Sequence, residues 1–246
     1  MIPPSESPVG PAGPFDSEAG EAEAVTGEAE AAMPEVPDAA IVPGAASAVV
    51  PMPARKRPRP GERRVQILEM LATMLQEPGA DRITTAALAA RLDVSEAALY
   101  RHFASKAQMF EGLIEFIEQS VFTLVNQIAL RETNAAVQVR QVMVVLLQFG
   151  EKNPGMTRVM VGDALVFENE RLVLRMNQFF ERIESQLRQS LRLHAEGAGS
   201  ATPSVDASAQ ASALVSFAVG RLQRFARSGF RKSPTEHLDV ALRLFA

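Results

Sequence analysis

Between Thr84 and Lys106 the chain gathers side chains suited to a polyanion: hydroxyls at Thr84, Thr85, Ser95 and Tyr100, a guanidinium at Arg101, an imidazole at His102 and an ammonium at Lys106. Hydroxyl, imidazole and ammonium groups donate to phosphate oxygens, and a guanidinium can fork onto a guanine edge. Catalysis is poorly served by comparison. The chain has no cysteine, and its three histidines, His102, His194 and His237, sit apart. No Gly-rich phosphate loop, His-Glu metal pair or nucleophile elbow is present. The expectation is therefore no enzyme, no cofactor and no metal.

Two short helices must position these groups. Thr85–Phe103 reads TAALAARLDVSEAALYRHF. Thr84 or Thr85 caps the first helix, which runs to about Arg91, and Ser95 starts the second, which ends near His102. Helices joined by so tight a turn cross steeply, which needs a small residue at the crossing, supplied by Ala89. The turn needs a residue that tolerates positive φ. Asp93 stands there, where Gly would be the easier choice. Leu88, Leu92, Val94 and Leu99 then face inward. Ser95, Glu96, Ala97, Tyr100 and Arg101 face outward, on the side that enters a major groove in helix-turn-helix proteins.

The remaining periodicity is helical throughout, with no strand pattern and no repeat. Val65, Leu68, Leu71, Ala72 and Leu75 form one face of a first helix, stopped by Pro78-Gly79. A fourth helix from about Ser105 carries Phe110, Leu113, Ile117, Val121, Leu124, Val125 and Ile128. Ala135–Lys152 is a buried helix stopped by Asn153-Pro154-Gly155, and Met156–Phe167 is a shorter one. Glu168–His194 is amphipathic through Leu172, Met176, Phe179, Ile183, Leu187 and Leu191. Val205–Phe230 aligns Ala211, Leu214, Ala218, Leu222 and Phe225, either an intramolecular core or a dimer seam. A last helix follows Pro234.

Charge divides the chain. Residues 1–54 hold no Lys or Arg, and their charged residues, from Glu6 to Asp38, are all acidic. Rich in Pro, Ala and Gly, this tail is expected to be disordered. A basic arm follows over residues 55–62, either a DNA clamp or a solvated charge run. The N-terminus lacks the basic and apolar regions of a signal peptide. The longest apolar run, Val142–Leu147, falls far short of the ~20 residues of a membrane span. A soluble, cytoplasmic protein with no membrane partner is expected.

Tyr100-Arg101-His102-Phe103 followed by Ser105-Lys106 resembles the end of the DNA-binding domain of the TetR family. The resemblance implies an all-α fold: a helix-turn-helix head over residues 63–110 and a helical dimerisation domain over 111–246. It implies that Tyr100, His102 and Lys106 grip phosphate, while Phe103 anchors the hinge. The alternative role for His102, weaker than phosphate contact, is a satisfied histidine at the seam between domains. EAALYRHF together with FGEKNPGMTRVMVGDALVFENERL and RMNQFFERIESQLRQ is similar to the nucleoid occlusion branch of that family. Membership there implies a homodimer that binds palindromic double-stranded DNA scattered over the chromosome and antagonises the division protein FtsZ. The alternative is a ligand-responsive TetR-type repressor. Little polar lining for a small molecule is evident, and none is expected to bind; Asp163, Glu168 and Asn169 read as a helix junction. For a partner face, Phe116 stands off the apolar stripe of its helix, either packed on a neighbour or offered to a partner. Lys152 and Asn153, at the break before Pro154, are expected to face solvent.

Overall fold

The computed structural model describes residues 61–77 and 82–245. The acidic tail, the basic arm up to Pro60 and the Pro78-Gly79 stop lie outside the described residues. Within them the chain is helical, without a strand. Three helices build the head: α1 (Glu62–Gln76), α2 (Thr85–Arg91) and α3 (Glu96–Tyr100). The body holds α4 (Lys106–Arg131), α5 (Ala135–Lys152), α6 (Pro154–Met160), α7 (Glu170–Gly197), α8 (Pro203–Arg227) and the short α9 (Leu238–Leu242).

Helix starts follow capping chemistry. Thr84, Ser95, Ser105, Asn134 and Asn169 each accept from a backbone N–H in the first turn of the helix that follows. Such caps satisfy donors that the helix itself leaves unpaired.

In α1 the buried row is Ile67, Leu71, Met74 and Leu75. Val65, expected on this face, is 54% exposed, and Leu68 is only partly covered. Ile67, Leu71 and Leu75 follow one another at i+4, so the face centres on that row and Val65 falls off its edge.

Helix α4 is long and apolar enough to cross a membrane by length and composition alone. Its apolar side is instead spent inside the protein, from Met109 and Phe110 through Ile117 and Val121 to Ile128, all buried. The six-residue run Val142–Leu147 of α5 is buried on every side.

The segment after α5 departs from the sequence expectation. Asn153-Pro154-Gly155 stops α5 at Lys152 as expected, but the next helix begins inside it rather than at Met156. Pro154 opens α6, where its missing N–H costs nothing. This helix ends at Met160, well before Phe167; Gly162, at φ 84°, turns the chain into a single 3-10 turn at Asp163–Leu165. Val166 and Phe167 are left exposed.

Helices α7 and α8 pack on each other, with α5 against both. All six expected core residues of α7 are buried. On α8 the stripe Ala211, Leu214, Ala218, Leu222 and Phe225 is buried within the single chain, so it is intramolecular core and is not available as a dimer seam. Its small residues let α8 sit close beside its neighbours.

The head is held on the body by two contacts of different kinds. Helix α4 packs beneath α1, with Gly112 accommodating Leu68. Helix α6 crosses α1 so closely that a Cβ on Gly155 would lie 2.0 Å from the backbone oxygen of Ala72. Backbone cannot yield there as a flexible side chain can. Gly155→Ala should therefore lower the unfolding free energy by ~1–3 kcal/mol, the range for overpacking a tight contact. Chemical denaturation followed by circular dichroism checks this; an unchanged midpoint would mean that α6 does not sit this close to α1.

Candidate nucleic-acid interface

The turn between α2 and α3 closes through backbone geometry. Asp93 adopts φ 52°, the left-handed conformation its position demands. Its N–H donates to Ala90 O at 3.2 Å, and Val94 N–H donates to Ala89 O at 3.0 Å. This pair of bonds ends α2 in a Schellman-type cap, with Asp where Gly is the usual occupant. Ala89 is buried at the crossing, and Leu88 and Leu99 meet in the core beside it. Leu92 and Val94 pack against that core more shallowly.

On the other side, Ser95, Glu96, Ala97, Tyr100, Arg101 and His102 are all exposed, as is Thr84; Thr85 is partly covered. The structure thus brings these candidate DNA contacts onto one surface of the head. Two of the hydroxyls already work as caps: Thr84 Oγ1 accepts from Ala87 N–H at 3.1 Å and Ser95 Oγ from Ala98 N–H at 3.3 Å. Their own O–H groups can still donate outward. Across the groove between α2 and α3, Thr85 Oγ1 donates to Glu96 Oε2 at 2.6 Å, and Tyr100 Oη donates to Thr85 Oγ1 at 3.4 Å. Nothing in the sequence announces this chain of bonds, because its members lie on different helices.

The back of the recognition helix is pinned from α1. Arg64 donates from Nη1 to His102 O at 2.5 Å, and its guanidinium lies 4.1 Å from the centre of the Phe103 ring. Phe103 is fully buried, as a hinge anchor must be. Arg64 is thus a structural clasp.

Lys106 is held differently from the free ammonium expected at a phosphate contact. Its Nζ forms an ion pair with Glu168 in the loop before α7, and its side chain is partly buried. This begins a ladder between α4 and α7. Glu111 pairs with Arg171, and Glu118 takes Arg175 by both carboxylate oxygens, at 3.2 and 2.6 Å. That hydrogen bond to Glu118 raises the Arg175 pKa above its ordinary value, partly opposed by desolvation and aided by the nearby charges of Glu118, Glu115 and Glu111. Farther along, the Phe122 and Phe179 rings meet edge to face, with Arg182 over Phe122. Of the residues read as a helix junction, Asn169 caps α7, Asp163 lies in the 3-10 turn and Glu168 carries the first rung.

Of the three partner-face candidates, Lys152 is exposed at the end of α5 and Phe116 is half-buried, packed against the core. Asn153 corrects the expectation of a solvent-facing side chain: it is only 2% exposed. Because α6 starts directly after the break in α5, the one residue between them is enclosed. Its Nδ2 donates to Phe149 O at 2.8 Å, and its backbone oxygen accepts from Thr157 N–H at 2.9 Å. Asn153 therefore positions α6 and presents nothing to a partner.

The geometry agrees with what this chain is similar to. Residues 67–113 match the model for bacterial regulatory proteins of the tetR family, and residues 133–246 match an SlmA-like model for tetracyclin repressor-like C-terminal domains. Among curated proteins, the nucleoid occlusion factor SlmA of Salmonella dublin is 50% identical over 196 residues, covering 78% of this chain and 98% of the relative. That of Photobacterium profundum is 53% identical over 178 residues, covering 72% and 90%. Solved structures share the fold at much lower identity. The TetR-family regulator PfmR of Thermus thermophilus superposes with a TM-score of 0.58 at 22% identity, covering 73% of this chain and 96% of its own. The regulator FadR of Bacillus subtilis, solved with stearoyl-CoA, gives 0.59 at 12%, covering 74% and 96%. An all-helical body behind a helix-turn-helix head, with half of the aligned residues shared across nearly the whole length of a relative, places the chain by descent: it belongs to the SlmA family of nucleoid occlusion factors, a branch of the TetR-like DNA-binding proteins.

Proposed function

We propose that this protein is a sequence-specific DNA-binding nucleoid occlusion factor. Bound as a homodimer to palindromic sites scattered over the chromosome, it antagonises FtsZ assembly over the nucleoid, and so acts in the cytoplasm on the nucleoid surface. The observation that carries the reading is the exposed row on α2 and α3 joined to a body that matches SlmA over its length. The helix-turn-helix reads the major groove, with base contacts from the start of α3 and phosphate contacts around it. Arg101 serves as a base reader, Tyr100 and His102 as phosphate donors. The domain division follows: a DNA-binding head over 63–110 and a dimerisation and partner-binding body over 111–246. The head is required twice, once per half-site of a palindrome. With the Ala211–Phe225 stripe spent inside the chain, the seam falls on the outer surfaces of α7 and α8. There an open groove of about 370 Å³ is lined by Met160, Val173, Met176, Phe180, Val215 and Val219.

One observation favours the ligand-responsive repressor as the second reading. A second cavity of about 370 Å³ lies where α5 begins and α7 ends, lined by Val137, Val139, Leu191 and Leu214, with Arg140 and His194 among its polar groups. Chromatin profiling separates the two readings: occlusion gives many bound loci, repression one or a few promoters.

The state of Lys106 changes what its role predicts. To reach a phosphate it must leave Glu168. Glu168→Gln should therefore raise affinity for cognate and random duplex alike, whereas Lys106→Ala should lower both about equally. Fluorescence anisotropy over a salt series checks this; a Glu168→Gln protein with unchanged affinity would show that the ion pair does not compete with DNA.

The partner face rests on Phe116 and Lys152. Phe116→Ala, and less strongly Lys152→Glu, should keep operator affinity and lose DNA-dependent disruption of FtsZ polymers. Sedimentation of FtsZ with and without operator DNA reads the outcome. A wild-type protein without effect on FtsZ under either condition would sink the division reading.

A further inference from the structure

The outward face of the head carries a carboxylate, an unwelcome group on a surface meant for a polyanion. Glu96 sits at the first position of α3, exposed, and has no ion-pair partner among the salt bridges of the described residues. It would repel phosphate, so a role in backbone grip does not explain it. The hydrogen bonds around it point elsewhere. Thr85 donates its hydroxyl proton to Glu96 Oε2 at 2.6 Å, and Tyr100 donates its own to Thr85 at 3.4 Å. Both hydroxyl protons are thereby directed inward along the chain of bonds toward the carboxylate. What remains outward at this point are acceptor lone pairs, chiefly those of the free oxygen Oε1. The carboxylate is also held in place from a different helix, which removes rotamer freedom that an exposed glutamate would otherwise lose on binding.

We infer that Glu96 is a specificity-determining residue that reads cytosine in the major groove, aimed by Thr85 and Tyr100. The inference rests on the DNA-binding reading above and adds the base. In the major groove, guanine offers N7 and O6 and thymine offers O4, all acceptors that repel a carboxylate. Adenine offers an amino group, but its N7 acceptor lies beside it. Cytosine alone presents an amino group, N4, without a neighbouring acceptor on the same base. Residues at the start of a recognition helix are those that reach base edges, which is where Glu96 stands. In this arrangement Thr85 is a positioning residue, and Tyr100 is shared between the relay and its phosphate: on cognate DNA its hydroxyl can turn outward while Thr85 continues to hold Glu96.

The test is selection from a duplex library with symmetric randomised half-sites, using the full chain and its variants. Wild type should select cytosine at one symmetric pair of positions. Glu96→Gln places an amide where the carboxylate was; an amide can both accept from adenine N6 and donate to N7. This variant should change the selected base from cytosine to adenine at that pair alone, with a shift in relative affinity of ~5-fold or more. Thr85→Val should blur the same position, and Thr85→Ser, which keeps the hydroxyl, should restore it. Retention of every base preference by Glu96→Gln would overturn the assignment, as would a rise in affinity for all sequences alike, the mark of a mere repelling charge. A wild-type chain that bound no duplex would overturn the DNA-binding reading itself, and this assignment with it.

Discussion

The direction in which α3 points is decided by α4, because that helix belongs to two interiors at once. Its first turns lie under the head, where Met109, Phe110 and Leu113 are buried and Gly112 accepts Leu68 of α1. Its later turns, from Ile117 to Ile128, are buried in the body. A helix packed along this length moves as a unit, since close-packed side chains leave little room for bending at one point. The second hold, where Gly155 of α6 lies on the backbone of Ala72, removes the remaining freedom of the head to roll about α4. Everything the reading face can do follows from these two attachments. Within the head, the turn at Asp93 and the clasp of Arg64 on Phe103 and His102 then set α3 against α2 and α1.

How much of this was legible in the sequence depended on the distance over which each feature is determined. The amphipathic face of α7 was read residue for residue, since a 3.6-residue period over many turns is a local signal that burial cannot easily reverse. Asp93 was also legible: a steep crossing after a short helix demands positive φ at one position, and the structure has φ 52° there. The exposed row of α3 followed from the same geometry. Features set by partners far along the chain were not legible. Lys106 looks like a free cation until Glu168, 62 residues later, is folded back beside it. Asn153-Pro154-Gly155 has the composition of a loop, but α6 begins inside it and α1 covers it, so Asn153 is buried. The stripe of α8 could serve one chain or two; only the packing of α7 and α5 onto it decides for one.

Such ambiguity has a physical cause. Periodicity reports that a face must be covered, not what covers it. In the described body, α5 packs against both α7 and α8, and the stripe of α8 is buried among them. A search for association surfaces by hydrophobic pattern alone therefore finds the core first. The junction of α5 and α6 is covered by close approach: Gly150 has Leu222 and Thr157 against it, and Gly155 has Ala72 of α1.

The ladder between α4 and α7 has a consequence for motion. Its rungs rise together along both segments, from Lys106 and Glu168 just before α7 through Glu111 and Arg171 to Glu118 and Arg175, so α4 and α7 run in the same direction. Parallel neighbours set their helix dipoles side by side, an unfavourable alignment that the rungs offset. Glu111, Glu115 and Glu118 follow one another at spacings of four and three along the same edge of α4, and Arg175 feels all three. Arg175 is forked onto both oxygens of Glu118, a directional bond that a slide of one helix along the other would break. Charge on this seam thus sets register as well as attraction, alongside the buried apolar residues.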